Sequence, residues 1–170
     1  MSTAVFDPRT NARPVSPPLG GIHPDIFAST QIRAESSRVL QALSIPEYME
    51  AWMQPPGIDR VEIHPDGRSF DRFTIALFSC SARLGSICGS CHLLKPNKIT
   101  YVWERDCSAG RSLVEIWLWS YLGHCSLKLR HGQFTSRAEH DWHSSMWTCS
   151  FRRLRVLLEG TGVAAPTPLE

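Results

Sequence analysis

No apolar run in the 170-residue sequence approaches the roughly 18 residues needed to cross a bilayer, so no helical membrane span is expected. Excess charge is also scarce. Eighteen Lys and Arg stand against sixteen Asp and Glu, a formal net charge of +2. That is too small a field to hold nucleic acid or an anionic membrane by itself. Met1 to Arg13 carries Asp7 and Pro8 where a secretory signal would need an apolar core, so export by that route is not expected and a cytoplasmic location is. The six cysteines, Cys80, Cys88, Cys91, Cys107, Cys125 and Cys149, are accordingly read as reduced thiols. At 19.1 kDa the chain can bury enough surface to fold without disulfides. A hydrophobic content of 42% and a charged content of 20% exclude a largely disordered or fibrous chain, and the length suits one domain.

Proline and glycine mark the limits of that domain. Residues 1–24 hold five of the twelve prolines and the pair Gly20-Gly21, and read as a Pro-rich flexible tail. Residues 160–170, with two glycines and two prolines, read as a second tail, which leaves a core of 25–159. In that core Asp25 to Ala34 alternates as an extended segment. Glu35 to Leu43 suits a short helix, and Ser44 with Glu47 suits a capping box opening a second, which ends before Pro55-Pro56-Gly57. From Arg60 to Phe134 the pattern has period two, broken at Pro65-Asp66-Gly67, Lys95-Pro96-Asn97, Gly110 and Gly123, as in an antiparallel meander. Ser136 with Glu139 then opens a helix of about 22 residues, roughly 33 Å long, whose stripe is His143, Trp147, Phe151, Leu154 and Leu158.

One strand, two short helices, a run of strands and a long C-terminal helix is the order of the helix-grip arrangement. The chain resembles the SRPBCC superfamily of START-like and birch-pollen-allergen-like domains, and within it the branch named after the activator of the heat-shock chaperone ATPase. Ser37 to Met53, SRVLQALSIPEYMEAWM, is similar to that branch's opening helix pair, and Cys125 to Phe134, CSLKLRHGQF, to its penultimate strand, with Cys125 in place of the usual threonine. The final stripe fits the closing helix, with Met146 in place of the usual glycine. The resemblance implies an α+β fold, a curved antiparallel sheet of about six to seven strands wrapped around the C-terminal helix. It also implies a central cavity that takes a hydrophobic or amphipathic small molecule, lipid-like or polyketide-like. No catalytic residue set runs through the superfamily, so none is carried over.

Alternation assigns side chains to that interior. The expected lining is Phe73, Ile75 and Leu77 from one strand, Tyr101 and Trp103 from another, then Val114, Ile116 and Leu118, then Leu127, Leu129 and His131, facing Trp147 and Phe151 of the helix. The plain alternative for each is core packing. His131 and Tyr101 are the polar candidates, suited to proton transfer and to donating to a carbonyl. Trp117 and Trp119 fall on the opposite face, where they suggest contact with another chain or with the N-terminal tail, a homodimer being one form.

Other motifs carry less. Cys88-Gly89-Ser90-Cys91-His92 has c-type haem spacing, but in a strand two residues three apart point to opposite faces. A zinc set of Cys88, Cys91, His92 and Cys107 lacks a second close pair, so neither metal nor cofactor is expected. Arg152, Arg153 and Arg155 lack interleaved aromatics, which argues for a solvated helix face and against nucleic acid. Binding or carriage of a small molecule is the first reading. A cyclase, dehydratase or hydrolase acting in the cavity and a chaperone-regulating interaction protein are the alternatives.

Overall fold

A computed structural model describes residues 23–66, 71–105 and 110–160. Most of the expected N-terminal tail, nearly all of the C-terminal one, Gly67 and Cys107 lie outside the described residues. The elements run β1 (Ile26–Ile32), α1 (Ser36–Ser44), α2 (Pro46–Trp52), β2 (Arg60–Pro65), β3 (Arg72–Ser79), β4 (Ala82–Lys95), β5 (Lys98–Arg105), β6 (Arg111–Tyr121), β7 (His124–Gly132) and α3 (Arg137–Glu159). All seven strands form one antiparallel sheet in the order β1-β7-β6-β5-β4-β3-β2, so every neighbour pair except β1-β7 is joined by a sequential hairpin. The sheet curls as a half-barrel around α3.

The apolar faces of the strands and of the three helices share one core, which runs continuously from Ile32 and Val39 through Trp103 and Ile116 to Phe151 and Leu158. In α1, Val39, Ala42 and Leu43 form its buried stripe, and in α2 Met49 and Trp52 do so. The indole of Trp52 donates to the Ala42 carbonyl at 2.7 Å and ties the two short helices together. The expected capping box at Ser44 does not form. Pro46 takes the first helical position of α2, which moves the cap to Ile45, and Ser44 Oγ donates back to the Leu40 carbonyl at 2.8 Å. Ser136 does cap α3, accepting from the Glu139 N–H at 3.5 Å, and α3 ends at Gly160 as expected.

One glycine in the sheet is dictated by packing. A Cβ on Gly89 of β4 would run into the Phe73 ring, so the missing side chain is what lets that ring lie across the sheet. Phe73 then meets Tyr101 edge-on with ring centroids 5.7 Å apart. The outer strands are met by helices. Glu50 Oε1 of α2 accepts the Ile63 N–H of β2 at 2.7 Å, and Glu159 Oε1 of α3 accepts the Arg33 N–H just beyond β1 at 2.9 Å. Among the described residues no helix is long and apolar enough to cross a membrane.

Candidate functional site

The residues assigned to the interior by alternation are all buried, on the face that α3 covers. Where β5, β6 and β7 meet α3, the side chains form a column of rings. Trp103 stacks on Trp147 with centroids 5.3 Å apart and planes 18° from parallel, and Trp147 continues to Phe151 at 5.7 Å. In the other direction His131 meets His143 and Phe134 at 4.6 Å each, and Phe134 meets His140 at 5.4 Å.

The hydrogen bonds of His131 fix its tautomer. Trp147 Nε1 can only donate, and it lies 2.9 Å from His131 Nδ1, which must therefore be the unprotonated nitrogen. Nε2 then carries the proton and donates to Ser112 Oγ at 2.8 Å, leaving the Ser112 hydroxyl to donate to the Trp103 carbonyl at 3.5 Å. Burial, with His143 and His140 adding to it, holds His131 well below the usual histidine range, so the ring is neutral. Tyr101 is likewise committed: its hydroxyl donates to the Leu43 carbonyl at 2.9 Å, and burial raises its pKa. His131 and Tyr101 thus pin α3 and α1 to the sheet.

Other polar atoms at the same interface are uncommitted. Among the described residues Trp103 Nε1 and Ser150 Oγ are buried without a hydrogen-bond partner. Both side chains are essentially sealed from solvent, at 1% and 0% exposure. Ser112 and Ser150 were absent from the expected lining, although parity and period had the signal. Ser112 shares the inward parity of Val114, and Ser150 lies three residues beyond Trp147 on the helix stripe.

The remaining candidates separate cleanly. Cys88 is disulfide-bonded, which corrects the reading of six reduced thiols, while Cys80, Cys91, Cys125 and Cys149 are free. The Cys88 to His92 stretch is strand rather than loop, with a bulge between Cys91 and Leu93 and with Ser90 Oγ 2.8 Å from His92 Nε2. Burial pushes the Cys91 thiol up to about 11, so it is no ready thiolate. Among the described residues no three His, Cys, Asp or Glu side chains gather as a metal would require. Arg152, Arg153 and Arg155 are exposed along α3, as expected of a solvated face. His140 is half-buried against Phe134. Its Nδ1 lies 2.8 Å from Asp141, whose carboxyl is lowered by that contact and by Arg137. Trp117 is half-buried and Trp119 exposed on the outer face of the sheet.

No protein-family model matches the chain, and no curated protein matches it. Solved structures do. Protein CV1439 from Chromobacterium violaceum superposes with a TM-score of 0.70 at 19% identity, over 79% of this chain and 97% of that one. CalU16 from Micromonospora echinospora gives 0.60 at 20% identity, over 80% of this chain and 76% of that one. DynU16, a protein in the dynemicin biosynthetic locus, gives 0.57 at 13% identity, over 80% of this chain and 47% of that one. The fold is the helix-grip. In helix-grip terms, the column of rings and the two uncommitted polar atoms lie between the grip helix and the concave face of its sheet.

Proposed function

We propose that this helix-grip protein binds and carries a hydrophobic or amphipathic small molecule between α3 and the concave face of the sheet. The observation that carries the reading is the pair Trp103 Nε1 and Ser150 Oγ, one on β5 and one on α3, buried without partners. Buried polar groups are bonded in the great majority of cases, and one left unpaired costs about 1–3 kcal/mol. A ligand with a carbonyl, ether or hydroxyl oxygen among apolar carbons would accept from the indole and bond to the serine. The apolar lining of Ile75, Ile99, Ile116 and Leu127 suits the rest of such a molecule. The likeness to DynU16, from an antibiotic locus, supports a polyketide-like or lipid-like ligand. His131 and Tyr101 are already bonded within the protein, which favours carriage over catalysis.

Native mass spectrometry of protein purified from cells, followed by extraction, tests this. A reproducible apolar ligand at unit stoichiometry is expected. Trp103→Phe keeps part of the ring stack and deletes the donor; relief of the unpaired N–H offsets much of the void left by the smaller ring, so it should cost the unliganded fold no more than about 1–2 kcal/mol and weaken ligand binding by about five- to tenfold. A protein that is empty and ignores a panel of lipids and aromatic polyketides would overturn carriage. Weight would then pass to the heat-shock activator branch and a chaperone-regulating role, with Trp117 and Trp119 as its surface.

We propose a cytoplasmic location, where thiols are kept reduced. The disulfide of Cys88 stands against that location, and rapid thiol trapping in cell lysate decides between them: Cys88 found reduced supports the cytoplasm. A Cys88 disulfide that survives trapping would assign the protein to an oxidising compartment.

A further inference from the structure

The β6–β7 hairpin breaks the local rules for such turns. Leu122 and Gly123 both have positive φ, +47° and +75°, the conformation of a two-residue hairpin turn that favours Asn-Gly. A leucine there stands in the left-handed region at a steric cost, and its side chain is 79% exposed. Tyr121 beside it is 75% exposed and Trp119 is 49% exposed, on the same outer face as Trp117. Backbone strain and solvent-facing apolar surface therefore coincide at one tip. Lys98 pairs with Trp117 on the neighbouring strand, so β6 runs four residues, about 13 Å, past the start of β5. The tip thus projects past the β4–β5 turn on one side, while on the other β1 accompanies β7 as far as Cys125.

The charge nearest the tip is in excess positive. Lys128 lies over the Trp119 ring at 5.5 Å and Lys98 over the Trp117 ring at 4.9 Å. The adjacent β4–β5 turn adds exposed Leu94 and Lys95 and is joined to β6 by the bond from the Leu118 N–H to the Asn97 carbonyl, 3.0 Å. From Leu93 to Trp103 and from Ile116 to Ala138 the sequence has no Asp or Glu. Glu115, at the border, is taken up by Lys98 and Arg130; beyond β1, Arg33 and Glu35 offset one another and Glu159 is paired with Arg155, which leaves Lys95 and Lys128, among the described residues, as the unpaired charges nearest the tip. The whole chain is nearly neutral, but this end of the sheet is not.

Aromatic rings with a polar edge, a leucine at the apex and lysines behind them match the layers of a membrane interface. We propose that the β6–β7 tip docks on an anionic lipid surface, with Leu122 and Tyr121 entering the headgroup–acyl boundary, Trp119 at headgroup level, and Lys95 and Lys128 facing the lipid phosphates. The proposal is independent of what the interior holds, because the tip lies on the outer face.

Co-sedimentation of the full chain with vesicles tests it, comparing pure phosphatidylcholine with phosphatidylcholine containing about a quarter phosphatidylserine. Binding to the phosphatidylserine vesicles, weakened by added salt, is expected. Leu122→Asn suits the turn better than leucine, so it should hold or raise the melting temperature while reducing vesicle binding about tenfold. Lys128→Glu should reduce binding at least about fivefold. Failure to sediment with phosphatidylserine vesicles at low salt overturns the proposal. So does binding that is equal on both vesicles and indifferent to both substitutions. A dimer in light scattering that Leu122→Asn makes monomeric, with no vesicle binding, assigns the tip to a second copy of the chain instead.

Discussion

Replacing Trp147 by alanine is expected to destabilise the protein by about 3–5 kcal/mol, the range for removing a large buried aromatic. The side chain is 1% exposed, stacks on Trp103, touches Phe151, and donates to His131. Its loss opens a void between α3 and the sheet and leaves His131 Nδ1 without its donor. Trp147→Phe separates the two effects, since it keeps most of the stack and loses the bond. It should cost only about 1–3 kcal/mol. Urea unfolding of both variants, read as a fall in midpoint at constant slope, measures the difference. Equal losses for the two would mean that the bond to His131, rather than packing, holds α3 in place.

Acid should loosen the same junction. The unfolded chain takes up a proton at His131 near the ordinary histidine value of about 6.5, whereas the folded chain does so only well below it. Between those values the unfolded state holds the extra proton. This contribution to stability is therefore complete above about pH 6.5 and is lost as the pH falls below it, by up to about 1.4 kcal/mol per pH unit. The structural reason is that an imidazolium donates from both nitrogens. Its Nδ1–H would face the Trp147 N–H, two donors with no acceptor between them. Unfolding measured at stepped pH should show this slope, and His131→Gln should flatten it. A slope that survives the substitution would place the acid-sensitive group elsewhere.

The inner face was legible in the sequence because side-chain parity in a strand is rigid. Once Glu115 points outward, Val114, Ile116 and Leu118 have only one place to go, and Lys128 and Arg130 fix Leu127, Leu129 and His131 in the same way. What joins these residues to others was not legible. Tyr101 reaches a carbonyl 58 residues away in sequence and His131 an indole 16 away, distances over which periodicity carries no information. The Ser44 capping box failed for a local reason, since Pro46 fits the first helical turn better than Ser44 fits the cap. The Cys88 disulfide is not legible because cysteine spacing alone does not say which thiols the fold brings together. For the site, parity delivered the lining residues but not the uncommitted atoms. An indole nitrogen on the inner face is visible in the sequence, whereas its lack of a partner is a fact of three dimensions.

The carboxylates that meet the outer strands have a consequence for how the protein behaves in a crowded solution. An open sheet offers unpaired backbone groups along both of its rims, and such rims recruit strands from other copies. Here Glu50 occupies the Ile63 N–H on one rim and Glu159 the Arg33 N–H beyond the other, with α2 and α3 lying alongside. A curled sheet that never closes into a barrel is thereby shielded at both margins from the strand-by-strand growth that begins a fibril.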